Sequence, residues 1–189
     1  MLAGVDEAGR GCWAGPVVAA AVVLPCGFCP PGLDDSKKLT AQRRDVLCVQ
    51  IRAGALAWGA CAVSAAEIDA TDILRATLRA MARAVGRLQV RPDLVLVDGD
   101  RRPDLPVPCE CLVRGDGTSA AVAAASVLAK VFRDRIMTAC ERHHPGYGFA
   151  AHKGYGAAAH REALRRLGPC PLHRLTYRPV AQLDQGRLF

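Results

Sequence analysis

The apolar runs of this chain are short, and two of them stop at carboxylates. Residues 2–5 run into Asp6-Glu7, and residues 94–97 run into Asp98-Gly99. Short apolar runs bounded by turn formers are strand material rather than helix material. Residues 17–24 and 56–63, rich in Val and Ala, read the same way. The three early strands predict an antiparallel meander, and residues 109–113 predict a fifth strand. Helical signals fall between and after them. Thr40 caps a helix through Gln50, and Ser64-Ala65-Ala66-Glu67 is a capping box. Ile73, Leu74, Leu78, Met81, Val85 and Leu88 continue at helical spacing until Pro92 stops the helix. Thr118 or Ser119 opens a long helix to about Cys140, residues 145–156 form a loop, and residues 157–167 form a last helix ending at Gly168-Pro169. Strands first, then helices alternating with strands, predict an α/β fold with a mixed five-stranded sheet flanked by helices.

Composition limits what such a fold can be for. The chain has 189 residues, 51% of them hydrophobic, which predicts one domain with a sizeable core. Residues 1–182 are expected to form that domain, with 183–189 as a mobile tail. No signal peptide is visible, and residues 17–24, the longest apolar run, are too few to cross a bilayer. A cytoplasmic protein with no membrane partner is the expectation. Without a secretory signal the 9 cysteines read as reduced thiols, and a zinc shared by Cys26-Gly27-Phe28-Cys29 and Cys109-Glu110-Cys111 is disfavoured, because the first pair lies in a Pro/Gly loop and has no matching pair of the same spacing. The formal net charge of +7 suits a polyanionic partner without specifying one.

Four acids stand out by position. Asp6 and Glu7 close the first run, Asp98 closes the buried one, and Asp134 lies on the long helix. A strand alternates its faces, so Asp6 and Glu7 do not point the same way in regular geometry. One of them is expected to reach just past the strand end. Like charges this close are costly unless a cation sits between them, and magnesium favours carboxylate oxygens that it can share with phosphate. Gly9-Arg10-Gly11 follows at once, where backbone without Cβ can approach a phosphate or sugar.

These residues also carry a resemblance. Asp6-Glu7-Ala8-Gly9-Arg10-Gly11 resembles the signature of the ribonuclease HII family. Asp35-Ser36-Lys37-Lys38-Leu39-Thr40, Ile73-Leu74-Arg75-Ala76-Thr77, Val97-Asp98-Gly99, Gly115-Asp116, Ala124-Ala125-Ser126 through Arg133-Asp134, Lys153-Gly154-Tyr155-Gly156 with His160, and His173-Arg174 follow in the family's order. The resemblance implies a ribonuclease H-like fold and an endoribonuclease that cuts the RNA strand of RNA–DNA hybrids. It also implies cleavage 5′ of ribonucleotides embedded in duplex DNA, leaving 3′-hydroxyl and 5′-phosphate, and so removal of misincorporated ribonucleotides. It implies Asp6, Glu7, Asp98 and Asp134 as catalytic ligands of two Mg2+ or Mn2+ ions. Gly9, Arg10, Gly11 and Tyr155 are implied to sense the ribose 2′-hydroxyl, which distinguishes RNA from DNA. Ser36, Lys37 and Lys38 are expected to touch the phosphate backbone. His160, His173 and Arg174 read as packing or phosphate contacts.

The chain departs from the family's pattern in places. Asp72 stands for the usual Asn, Arg114 for Lys, Ala157 for Thr, and Leu175 precedes Thr176-Tyr177. None of these touches the four acids. The rival readings are a type III ribonuclease H and a non-catalytic nucleic-acid binder. The first strand's start at residue 2 argues against the former, and the intact acids argue against the latter. A monomer is expected. Gln182-Leu183-Asp184 and Leu188-Phe189 loosely resemble a sliding-clamp-binding tail.

Overall fold

The computed structural model describes residues 1–185, with side chains through residue 182. Its strands are β1 (Leu2–Ala8), β2 (Val17–Val23), β3 (Ala57–Val63), β4 (Leu94–Asp98) and β5 (Cys109–Leu112). They form one sheet in the order β3-β2-β1-β4-β5. The first three pair antiparallel, while β4 pairs parallel with β1 and β5 pairs parallel with β4. This is the mixed sheet anticipated above. β1 is longer than expected, because it continues through Asp6 and Glu7 rather than stopping before them.

The helices are α1 (Ala41–Gly54), α2 (Ala65–Asp69), α3 (Ile73–Val85), α4 (Ala120–His143), α5 (Phe149–His152), α6 (Ala158–Leu167) and α7 (Arg178–Gln185). Thr40 caps α1 by accepting from the Arg43 amide, and Ser64 and Glu67 close the capping box of α2. The helical region expected from Ser64 onward breaks in two, because the Asp72 side chain accepts from the Arg75 amide and starts α3 afresh. α5 lies in the expected loop at 145–156. α7 runs through the point where the tail was expected to begin, and residues 186–189 lie outside the described residues.

β2 is buried along its whole length, and its alternation feeds two cores. Val17, Ala19, Ala21 and Val23 pack with Ile68, Ala76, Ala80 and Met81 on one face. Ala20 and Val22 pack with Leu47, Ile51, Ala124 and Leu128 on the other. α3 therefore covers one face of the sheet, and α1 and α4 cover the other. The approach of α4 to β1 requires Gly4. A Cβ there would lie 2.1 Å from the Ala121 carbonyl carbon. Ala3 and Val5 face α3, so Gly4 and Asp6 face α4. On β4, Val95 and Val97 face α3, so Leu96 and Asp98 face α4 as well. The last parallel pair between these strands is Val5–Val97, and Asp6 and Asp98 come next on the same face. Strand register alone thus brings two carboxylates side by side near the C-terminal ends of two interior strands.

Candidate active site

Asp6, Asp98 and Asp116 each offer a carboxylate oxygen within 4.8 Å of the others. Asp116 sits in a 3-10 turn, Gly115–Gly117, that follows β5. Arg114 enters that turn in the left-handed region at φ 60°, and the Gly115 amide donates to Asp98 Oδ1 at 2.8 Å. The turn is thereby tied to the end of β4, and Asp116 is carried over the neighbouring strands. Sequence reasoning gave Asp116 no role, although Gly115-Asp116 was among the matching blocks. A 3-10 turn has no periodicity to reveal which side chain points where.

The trio is electrostatically loaded. Burial pushes the Asp6 carboxyl well up, and the charges of Glu7 and Asp98 push it further against a hydrogen bond from Ser126. Burial also raises Asp116, with Asp35 and Asp98 adding to the effect and Lys37 opposing it. Glu7, the last-but-one residue of β1, alternates to the α3 side. Its carboxyl is raised by burial, is opposed by Arg10 at 3.5 Å, and still feels Asp98. Carboxyls held this close in low dielectric are a fitting donor set for a hard divalent cation.

Asp134 stands elsewhere. Lys130 Nζ lies 2.8 Å from its Oδ1, and Arg44 Nη2 lies 3.8 Å from its Oδ2. It lies outside the trio, its charge met by these two cations, and the carboxylate that the structure brings beside Asp6 and Asp98 is Asp116. The Lys130 ammonium is also 5.4 Å from the Tyr155 ring centroid, so Asp134 belongs to the surroundings of Tyr155.

Ser36 is a second correction. It is buried, and its Oγ shares a 2.8 Å hydrogen bond with Ser126 Oγ. Because Ser126 also bonds Asp6, Ser36 supports the carboxylate site from behind instead of facing a phosphate. Lys37 and Lys38 are exposed as expected. Lys38 pairs with Asp34 at 2.9 Å, and Lys37 Nζ approaches Asp116 Oδ2 at 4.0 Å. Partial burial alone would lower the Lys37 ammonium, but the charges of Asp35, Asp6, Asp116 and Asp98 outweigh it and raise it.

The Gly9-Arg10-Gly11 turn is shaped by two buried arginines, Arg174, which the sequence offered as a packing or phosphate contact, and Arg133, to which it gave no role. Arg174 donates to the carbonyls of Gly9 (2.7 Å), Arg10 (2.7 Å) and Gly15 (2.9 and 3.1 Å). Arg133 donates to the carbonyls of Pro16 (2.9 Å), Ala14 (3.1 Å) and Lys153 (2.8 Å). Both are fully buried. Their fixed donor forks hold the loop's carbonyls inward. Gly9 needs its missing Cβ twice over, having φ +98° and Arg133 Nε 1.9 Å from where a Cβ would stand. Gly11 is different. A Cβ there meets nothing within 4 Å.

Tyr155 reaches this loop from the other side. The Gly154 carbonyl accepts from the amides of Trp13 (2.9 Å) and Ala14 (3.3 Å), so the segment 153–156 is fastened to the segment that follows Gly11. The Tyr155 hydroxyl meets Cys12, and its ring is 44% exposed.

Comparison with known proteins agrees with this geometry. A sequence model of the family Ribonuclease HII matches residues 3–180. The chain belongs to the ribonuclease HII family. Ribonuclease HII of Syntrophotalea carbinolica is 58% identical over 181 residues, covering 96% of this chain and 87% of that protein. Ribonuclease HII of Pelobacter propionicus is 54% identical over 182 residues, with 96% and 83% covered. Among solved structures, ribonuclease H2 from Pyrococcus horikoshii superimposes with a TM-score of 0.83 at 25% identity, covering 98% of this chain and 97% of that one. Ribonuclease HII of Archaeoglobus fulgidus, solved in complex with PCNA, gives 0.77 at 28% identity, with the same coverage. The fold is that of ribonuclease H, and the activity is that of a metal-dependent ribonuclease on RNA–DNA hybrids.

Proposed function

We propose that this enzyme hydrolyses the phosphodiester 5′ to a ribonucleotide, in hybrids and at single ribonucleotides within duplex DNA, using divalent metal held by Asp6, Glu7, Asp98 and Asp116. The observation that carries this reading is the carboxylate trio within 4.8 Å. Bound there, Mg2+ or Mn2+ supplies Lewis-acid stabilisation of the charge that builds on the attacking and leaving oxygens and on the phosphate.

The protein's own residues do the rest. Asp98, fixed by the Gly115 amide, and Asp6, backed by Ser126 and Ser36, present oxygens from adjacent parallel strands. Lys37, exposed and drawn towards the trio, is placed to meet a phosphate oxygen as it arrives. The Gly9-Arg10-Gly11 turn is aimed by Arg174 so that its backbone can meet a ribose edge. The open space at Gly11 is compatible with this: nothing in the fold fills the position of a Cβ there, which leaves the backbone open to a closely approaching ligand. Tyr155, half-exposed beside that turn, offers an aromatic face to the sugar.

Duplex DNA carrying one ribonucleotide, incubated with Mg2+, tests this reading. Cleavage immediately 5′ of the ribonucleotide is expected, and none in the all-deoxy duplex. Cleavage of both alike would refute the assignment of the reader. A monomer is the expected working form, checked by sedimentation. A sliding-clamp contact is proposed for residues 182–189, in line with the complex formed by the A. fulgidus protein. Clamp binding unaltered by deletion of 182–189 would count against it.

A further inference from the structure

His160 and His173 are buried, and among the described residues no acid lies against them and their hydrogen bonds reach neither the carboxylate trio nor Lys37. Their hydrogen bonds form a chain with a defined direction. The Cys170 amide donates to His173 Nδ1 at 2.9 Å, so that nitrogen carries a lone pair. A longer approach of the same nitrogen to the Cys170 carbonyl, at 3.3 Å, requires the opposite tautomer, and the shorter amide contact decides between them. His173 Nε2 then carries the proton and faces His160 Nε2 at 3.0 Å. His160 Nδ1 faces the Tyr155 carbonyl at 2.8 Å, and a carbonyl only accepts, so His160 donates there. One consistent set of neutral tautomers satisfies every partner and ends on Tyr155.

The rings around this chain hold it in place. His152 stacks on His160 with centroids 4.4 Å apart, and its carbonyl accepts from the Tyr155 amide at 2.9 Å. The Tyr155 carbonyl thus accepts from both the His160 ring and the Ala157 amide (2.8 Å), and the His160 bond is the side-chain hold on its backbone. Burial pushes both rings of the pair down to about 4, which keeps them neutral at ordinary pH. With 44% of Tyr155 exposed, its ring is seated by few contacts, among them Cys12, Lys130 and Arg133. An apolar filler would complete this core more cheaply than two imidazoles, unless the polar chain places something.

We infer that His160, held by His173, is a positioning residue that sets the backbone of Tyr155 and so the alignment of its ring with the ribose. This rests on the reading of Tyr155 as part of the ribose reader. His160→Gln keeps a polar atom near Nε2 and loses the donor at Nδ1, whereas His160→Asn keeps the donor. With a single embedded ribonucleotide, His160→Gln is expected to lower kcat about tenfold with KM within about twofold, since sub-ångström misplacement acts on the chemical step and phosphate contacts hold the duplex. His160→Asn is expected to stay within about threefold of the wild type. In a Tyr155→Ala background, His160→Gln should change kcat less than about twofold, because the ring it places is gone.

A tenfold loss that persists in that background makes His160 merely structural and overturns the inference. So does an unaltered His160→Gln enzyme whose Tyr155→Ala counterpart is impaired. If Tyr155→Ala itself is fully active, the reader reading fails first and takes this inference with it. A measurement on the unmutated protein stands apart from folding of the variants. Long-range proton–nitrogen correlation at pH 7 should show His160 protonated at Nδ1 and His173 at Nε2. A His160 ring protonated at Nε2 would overturn the inference.

Discussion

Asp116→Asn separates a metal ligand from a structural acid by the sign of its effect on stability. The oxygens of Asp6, Asp98 and Asp116 lie within 4.8 Å of one another. At an effective dielectric near 20, two unit charges at that distance repel by about 3.5 kcal/mol. The upward push on the Asp6 and Asp116 carboxyls reflects that repulsion, and solvent screens part of it. The amide also gives up the attraction of exposed Lys37 at 4.0 Å, which solvent screens heavily. A net gain of about 1–2 kcal/mol remains for the metal-free protein. For a chain of this size that corresponds to roughly 2–8 °C in Tm. Thermal unfolding in EDTA and in Mg2+, with turnover measured alongside, gives the comparison. Asp116→Asn should melt higher than the wild type in EDTA, gain less from Mg2+, and lose roughly 10²–10³-fold in kcat. Asp134→Asn should do the reverse. It breaks the Lys130 and Arg44 contacts, so it should melt lower in EDTA and keep its stabilisation by Mg2+. An Asp116→Asn protein that melts lower in EDTA and retains its full response to Mg2+ would refute this assignment.

Other perturbations address the surrounding shell. Gly11→Ala should leave Tm within about 1 °C, since its Cβ meets nothing, yet cut kcat/KM at a single ribonucleotide; full activity would remove the turn from the reader. Ala157 occupies the N-cap of α6 without a side-chain bond, so Ala157→Ser should stabilise the fold by about 1 kcal/mol in urea unfolding; no gain would mean that the amides there are already satisfied. His160 and His173 bind protons at about 4 when folded and at about 6.5 when unfolded, so the unfolded chain takes up protons first on acidification. Their contribution to stability therefore falls as pH drops from about 6.5 to about 4 and is fully lost below. An NMR titration in which either ring protonates near pH 6 would contradict this.

Much of the architecture was legible because it rests on apolar runs and caps. Thr40, Ser64 and Pro92 announced helix boundaries, and the run before Asp98 announced a buried strand ending at a carboxylate. The placement of Asp6 beside Asp98 follows from parallel register, which no local pattern encodes. That Asp116 rather than Asp134 joins Asp6 and Asp98 was hidden for a related reason. A helical acid after an alanine-rich stretch is conspicuous, but its charge is met by Lys130 one turn away. Asp116 instead depends on how a 3-10 turn crosses β4. Arg133 and Arg174 were unreadable as loop-shaping groups, because sequence gives no sign that a guanidinium is buried among carbonyls. Ser36 stands immediately before the exposed Lys37 and Lys38 and yet points inward to Ser126. The short helices α5 and α7 lack the length that makes periodicity visible.

Product analysis on one substrate bears most directly on hydrolysis at the carboxylate trio. A duplex with a single embedded ribonucleotide, labelled on both sides of it, is cut in Mg2+ by the wild type and by Asp116→Asn. The wild type should leave a 3′-hydroxyl upstream and a 5′-phosphate on the fragment that begins with the ribonucleotide, and Asp116→Asn should leave the strand intact. A 2′,3′-cyclic phosphate product, or undiminished cleavage by Asp116→Asn, would contradict metal-assisted hydrolysis at Asp6, Asp98 and Asp116.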